Sequence, residues 1–565
     1  MVKLRSALAA LALLSACSQG GRAPSAVVQP ETASVSGGIG RAREGGAGGQ
    51  VTLSSVSGDV RISPRPLPAT QPPPAPGLPS PGANPRTVEG VETFAPDAQN
   101  GLLGDDGATP ATALWVGPGG DLTLLANHDA GIALLLDGPL VVEGTLRVGA
   151  PDQVDRPLLS AQVGGLRVLP GGRVDGRGAD GGAGTGGSGA TLIVGVMRDL
   201  VVEGTIDTRG GAGSDGGPGG FIDLYAGNGQ VMNTGIADSS GGEGRSGRGG
   251  DAGGSAIWGT PEADGDGDAY NSGQLVARGG DGALGGGAGA AAYVSGCKNG
   301  RAVHDVAGLL DSSGGNATLD GDGGAAGPLA VVASGDRVVS LGRLVARGGE
   351  GAVSGAGGAG GFVGVGSVAS ILRLSGTLGG EVVLLADARG GNGAVGGAGG
   401  ELRVWVERSL DRLPDPLVVS VVALEATGGD GQSTGGAGGT LELYAYDVSE
   451  DPSVPPEVSS TGMVRLDSGV LAVGGAALTG GGGAGGSLTA SGATVSVAGI
   501  TADGGSTVGA RGGDGGSVVL FADVGRSTLT GTVAVRGGSG EGAGQPGHVV
   551  VDGSTLLSPD GVVGP

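Results

Sequence analysis

The sequence has few of the residues that most chemistry needs. Its three histidines, His128, His304 and His548, stand apart with no metal-ligand spacing. No HExxH, no paired-cysteine zinc pattern and no Gly-x-Ser-x-Gly elbow opening a helix is present. Matches to GxGxxG are by-products of glycine abundance, because strand-like segments and not helices follow them. Lysine occurs only at Lys3 and Lys298, so the basic residues are almost all arginine. Beyond the leader no stretch approaches 18 consecutive apolar residues, which predicts a soluble remainder. Charged residues make up 15% against 38% hydrophobic, which is not the composition of a disordered chain. What the chain does have is glycine, 134 of 565 residues, with 30 prolines. That content passes the level at which low complexity becomes the default reading. Glycine falls short of one third and shows no three-residue period, which excludes collagen. At about 1 kcal/mol per helix position it also argues against a helical protein.

The first sixteen residues carry Lys3 and Arg5, an apolar run from Ala7 to Leu14 and small residues ahead of Cys17, the layout of an export signal too short to span a bilayer. Leu14-Ser15-Ala16-Cys17 resembles the lipobox of bacterial lipoproteins. The resemblance implies cleavage before Cys17, lipid on its sulfur and acylation of the new N-terminus. Since Ser18 is not the aspartate of the inner-membrane retention signal, it also implies outer-membrane sorting. Two or three acyl chains, at about 0.8 kcal/mol per buried CH₂, anchor stably where one is marginal. Cys297 then has no partner for an internal disulfide. Ten prolines between Pro64 and Pro85 predict a semi-rigid polyproline II spacer. Within it Gly45 to Leu53, GGAGGQVTL, resembles the later repeat and reads as a detached or docked coil.

Past residue 100 the chain repeats: a short apolar alternation, Ala-Arg-Gly-Gly, an acidic or small residue, a glycine-rich stretch and another alternation. LVARGGDGALGGGAGAAAYV from Leu275 and LEATGGDGQSTGGAGGTLELYAY from Leu424 are examples. Successive glycine pairs lie 30 to 46 residues apart. In ELRVWV, Leu402, Val404 and Val406 alternate with Glu401, Arg403 and Trp405, the period of a strand. In LVVEGTLRV, Leu140 to Val148, a Glu-Gly splits two alternations and marks a corner. Short strands, tight corners and a long period predict an all-β, right-handed parallel β-helix (β-solenoid) with glycine-rich loops at one corner of each coil. Ten or eleven coils at about 4.8 Å each give a rod near 50 Å. The glycine segments are either mobile loops or a packed layer of polyproline-II-like strands; recurrence at one place in every coil favours order. The expected organisation is signal peptide 1–16, lipidated Cys17 and tether 17–100, cap and first coils 101–170, repeats 171–553 and a tail 554–565.

In register, Arg209, Arg278, Arg347, Arg389, Arg511 and Arg536 share one corner, with Asp281, Glu350, Asp430 and Asp514 three residues further on. Solvated turn charges are the plain reading of this ladder; a basic stripe for an anionic polysaccharide is the functional one. The net charge of −23 disfavours the latter, as well as nucleic acid and anionic lipid. No cofactor is indicated except calcium, for which EADGDGDAYNSG, Glu262 to Gly273, places Asp264, Asp266 and Asp268 at every second position. It departs from an EF-hand loop at Ala269 and Leu275. No catalytic cluster is visible. The sequence therefore reads as an anchored, non-enzymatic envelope lipoprotein with a structural or adhesive body, whose partners are the bilayer through Cys17 and an extracellular glycan. The alternatives are a carbohydrate-active β-helix enzyme like the polysaccharide lyases and glycosidases, with Trp258 to Tyr270 its one polar-rich departure, and a calcium-binding surface module.

Overall fold

Alternating aliphatic segments bounded by Glu-Gly corners become short strands that pair with their equivalents one repeat later. The computed structural model describes residues 26–28, 50–54, 60–62, 84–94, 111–125, 131–150, 153–259, 267–296, 300–305, 307–333, 337–340, 342–367, 385–409, 418–421, 424–448, 457–458, 463–466, 470–556 and 560–563. Among these there is no helix. One coil contributes Leu192–Val196, Leu200–Val202 and Thr205–Asp207. Each pairs in parallel with its counterpart in the next coil, Ile222–Ala226, Val231–Asn233 and Ile236–Asp238. The Glu-Gly corners fall where expected: Val142 ends one strand and Thr145 begins the next. Gly144 is required there, since a Cβ would lie 2.2 Å from the carbonyl oxygen of Gly120. The whole is a nearly closed sheet of parallel strands, consistent with a β-solenoid.

Among the described residues, one face of most strands enters a continuous apolar core. Along the third strands Val174, Ile206, Ala237, Leu275, Leu310, Leu344, Ala386 and Leu424 stack in register, all buried. Each larger aliphatic contributes about 1.5–3 kcal/mol by leaving water. A single coil has no second layer to cover that face, so stability comes from stacking.

The glycine segments form an ordered layer. In the coil that follows Asp207 there are two extended tracts, and their hydrogen bonds recur every third residue. The N–H groups of Gly216 and Gly219 reach Arg248 and Asp251 of the next coil, while those of Gly217 and Gly220 reach Gly211 and Thr208 of their own coil. One coil on, Gly249 and Ala252 bond to Gly285 and Ala288, and Gly250 and Gly253 to Gly242 and Ser239. Bonding in two directions with period three is what packed polyproline-II-like strands require, since that helix turns every three residues and has no internal bonds. Glycine is needed for approach and not for a special φ: a Cβ on Gly250 or Gly287 would sit 1.9 Å from the carbonyl oxygen of Gly217 or Gly250. Of the two readings of these segments, the packed layer is the one the described residues show.

The stack begins earlier than residue 101. Pro85–Val88 and Val91–Phe94, inside the segment read as tether, pair with Ala113–Val116 and Asp121–Leu124. Gln50–Ser54 pairs in parallel with Phe362–Ser367 and Glu401–Ser409, so the QVTL end of GGAGGQVTL is docked, while its residues 45–49 lie outside the described residues. At the far end the segment read as a tail folds back. Asp552 and Gly553, with φ of 48° and 76°, make a two-residue turn that returns Ser554–Leu556 antiparallel to His548–Val551. Val562–Val563 likewise runs antiparallel to Val533–Ala534. Reversing strand direction covers the last coil's edge, which would otherwise template further pairing.

Candidate functional site: a charged corner and an aromatic patch

Polar chemistry gathers in three places: the corner where the third strand passes into the glycine layer, the outer side of the first strands, and a short line inside the core. At the corner, Asp175, Asp207, Asp238 and Asp311 end their strands, and each accepts the backbone N–H two residues on, at 3.4, 3.2, 3.0 and 3.0 Å. This Asx geometry turns the chain into the glycine tract. Their other oxygens meet arginines of the same and adjacent coils: Arg209 to Asp207 at 2.8 Å and Asp238 at 3.5 Å, Arg173 to Asp207 at 2.6 Å. Burial raises the Asp175 carboxyl, but the Arg177 hydrogen bond and the Arg173 and Arg177 charges outweigh it and hold it below the usual range. Asp387, fully buried, goes the other way: desolvation wins over Arg347 and Arg389 and pushes it up.

The register corrects one part of the arginine ladder. Arg209, Arg278, Arg347, Arg389 and Arg536 occupy equivalent positions, two residues past the third strand, with Ser240, Ser313, Thr427, Val473 and Asp503 in the intervening coils. Arg511 lies instead in the second glycine tract, bridged to Gly542 and paired with Asp514 at 2.6 Å. It belongs with Arg248, which bridges Gly285. Counting from the first glycine pair could not separate two tracts of the same composition. Where serine replaces arginine the corner opens. A groove of about 560 Å³ lies around Ser240, between Arg209 and Arg278, and another of about 250 Å³ around Ser313, between Arg278 and Arg347.

Most acids that follow the glycine pairs have a function the sequence did not reveal: their side chains accept a backbone N–H from the next coil. In the first tract Asp281 receives Asn316 N–H at 2.7 Å, Asn316 receives Glu350 at 2.9 Å, Asn392 receives Asp430 at 2.6 Å and Asp430 receives Ala476 at 2.8 Å. In the second, Asp215 receives Arg248 at 2.9 Å, Asp251 receives Ala288 at 2.7 Å and Asp514 receives Gln545 at 2.7 Å.

On the outer side of the first strands, Tyr225 and Trp258 are in register on neighbouring coils, with ring centroids 5.1 Å apart and planes tilted by 34°. The Trp258 indole N–H donates to Asp223 at 2.5 Å, and burial pushes that carboxyl up. Tyr225 fits because it lies over Gly195, where a Cβ would meet its ring at 2.5 Å. Inside the core, Asn233, Asn271 and His304 stack in register and are all fully buried. Asn233 Nδ2 donates to Asn271 Oδ1 at 2.7 Å, Asn271 Nδ2 lies 3.0 Å from His304 Nδ1, and His304 Nε2 lies 3.2 Å from the carbonyl oxygen of Arg343. A carbonyl only accepts, so Nε2 carries the proton and Nδ1 accepts from Asn271. Burial pushes the His304 pKa down to about 4.

Of the calcium candidates, Asp264 and Asp266 lie outside the described residues. Asp268 is held by Arg301, whose backbone N–H donates at 2.7 Å and whose guanidinium lies at 2.5 Å. No group of three or more His, Cys, Asp or Glu is arranged for a metal among the described residues. Cys17 with its leader, Cys297 and His128 also lie outside them. His548 is exposed and shares a hydrogen bond of 2.9 Å with Ser517. No family model, no curated protein and no solved structure matches this chain.

Proposed function

We propose that the chain is an exported lipoprotein, held in the outer membrane through acylated Cys17, whose body is a right-handed parallel β-helix acting as a structural or adhesive part of the cell envelope and not as an enzyme. The observation that carries this reading is how the charged side chains are used. Along the corner and both glycine tracts, aspartates, asparagines and arginines bind the neighbouring coil, so the repeated chemistry of the sequence serves stacking. The lipobox supplies the address. Metabolic labelling with a palmitate analogue tests the anchor: label on the chain that disappears in Cys17→Ser is expected, and an unlabelled chain in the soluble fraction overturns it.

The Trp258 and Tyr225 patch favours the adhesive form of the proposal. Aromatic rings offer sugars a stacking surface, and the Asp223 carboxylate beside them accepts hydroxyl hydrogen bonds. A glycan array with the full chain, repeated with Trp258→Ala, tests this. Retention that Trp258→Ala abolishes supports adhesion, whereas shortening of any bound glycan reinstates the carbohydrate-active enzyme.

A further inference from the structure

Between its two glycine tracts each coil turns at a tip, and from Leu284 onward the tips carry aliphatic side chains that point into solvent. Leu284 is 53% exposed, Leu319 71%, Val353 50%, Leu478 57% and Val508 76%. They occupy five of seven consecutive coils, with Val395 and Thr434 at the two tips between Val353 and Leu478. Gly282 bridges Ala317, Leu319 N–H bonds to Ala283, Ala352 N–H to Gly321 and Ala394 N–H to Gly355, Val395 registers with Thr434, and Gly431, Ala477 and Thr507 bridge in turn. The preceding small residues, Ala283, Ala352, Ala394, Ala477 and Thr507, are buried and seat the turn. The aliphatic residue after each makes no demand on the fold, yet it is repeated. Val395 is partly exposed at the centre of the row, and Thr434 is its polar member.

We propose that this ridge is the contact by which two copies of the chain pair side by side, antiparallel, about the coil of Val395. The tips follow one another at about 4.8 Å per coil; Leu284, Leu319, Val353 and Val395 stand two residues past the bridged position and Leu478 and Val508 one residue past it, and a second copy carries the same coil spacing. Antiparallel pairing about Val395 sets Leu319 of one copy against Leu478 of the other, Leu284 against Val508 and Val353 against Thr434. Two rows of three and two exposed aliphatics therefore meet each other. The five side chains expose on the order of 500 Å² per copy, at the upper end of the largest patch on a typical monomer. Pairing them removes about 1,000 Å², the lower limit for a specific interface. Two chains of −23 repel at long range, so the contact strengthens as salt screens them.

Sedimentation equilibrium of the purified full chain across ionic strength, joined to cysteine cross-linking, tests the proposal. The expected result is a salt-promoted dimer, lost in Leu284→Ser/Leu319→Ser/Leu478→Ser/Val508→Ser while the β circular dichroism spectrum is kept. Val395→Cys alone, and Leu319→Cys with Leu478→Cys together, should give covalent dimers on oxidation, whereas Leu319→Cys alone should not. A chain monomeric at every salt concentration overturns the inference. Efficient cross-linking of Leu319→Cys alone does too, because it indicates parallel pairing. Flotation with phosphatidylethanolamine vesicles that the serine variant loses, without self-association, assigns the ridge to a lipid surface and equally overturns it.

Discussion

Lowering the pH should loosen the coils around His304 through a known path. The imidazole is fully buried in a slot between Gly308 and Gly342, accepting from Asn271 and donating to the Arg343 carbonyl, so its neutral form is satisfied and its charged form has neither water nor a carboxylate on the core side. Asp305, the nearest acid in sequence, is bonded to the Tyr270 hydroxyl. With a folded pKa of about 4 against 6.5 unfolded, the unfolded chain binds the proton first. The stabilisation from neutral His304 is complete above pH 6.5 and declines as pH falls toward 4. The loss is about 1.4 kcal/mol at pH 5.5 and about 3 kcal/mol at pH 4. Asp223, Asp238 and Asp387, raised by burial, titrate with the opposite sign, but they are common to the wild type and His304→Asn. The difference between the two chains therefore isolates the histidine. His304→Asn extends the Asn233 and Asn271 stack and should abolish this part of the pH dependence. The assay is hydrogen exchange of the Asp305 and Leu309 amides, which bond to Asn271 and Gly273, at a series of pH values. Equal dependence in both chains, or an NMR titration of His304 near 6.5, would refute the reasoning.

Gly280→Ala places a methyl 1.9 Å from the Gly242 carbonyl oxygen and should cost about 3 kcal/mol or more by forcing the layer apart, while Gly90→Ala, with nothing within 4 Å, should be near neutral in urea unfolding. The Oδ1 of Asn233 is buried without a hydrogen bond and faces the coil of Val202, its register partner. Val202→Thr gives that oxygen a donor and should be at least about 1 kcal/mol better tolerated than Val168→Thr, one coil earlier, where a buried hydroxyl has no such acceptor. Equal thermal shifts for the two threonine variants would show that the orphan oxygen has another partner.

Strand content, corners and stacking were legible because they follow from patterns each residue carries itself. The alternation of ELRVWV, the Glu-Gly at 143–144 and the recurrence of Ala-Arg-Gly-Gly each report a local constraint. The order of the glycine layer was only half legible: composition shows that no side chain intervenes, but the three-residue hydrogen-bond period exists only between tracts. Arg511 was misplaced for the same reason, since two tracts of one composition cannot be told apart until the bridges Arg248 to Gly285 and Arg511 to Gly542 align them. The Asn233, Asn271 and His304 line had a faint signal, three polar residues at the ends of apolar segments 38 and 33 residues apart, within the repeat length. The exposed tips were hidden because a lone leucine in a glycine tract carries no alternation.

Register also explains how an acidic chain tolerates stacked acids. Like charges one coil apart, about 4.8 Å, repel by roughly 1 kcal/mol per neighbour in a water-like dielectric and several times that near protein. From Asp281 onward the first-tract cap reads Asp281, Asn316, Glu350, Asn392, Asp430, so acid and amide alternate. The corner alternates likewise over Arg209, Ser240, Arg278, Ser313 and Arg347. Within these two runs the charges are held two coils apart, near the ~8–10 Å screening length, whereas Asp175, Asp207 and Asp238, on successive coils, are met by arginines. The residual coupling is visible at Glu350, whose carboxyl is pushed up first by burial and then by Asp281. Asn316→Asp tests the principle with almost no change of shape. The new carboxylate still accepts the Glu350 N–H, so a capping role alone predicts no loss, whereas alternation predicts about 2 kcal/mol at low salt from its two acidic neighbours, shrinking as salt rises. Unfolding midpoints for the two chains that coincide at low salt would leave the alternation without an electrostatic cause.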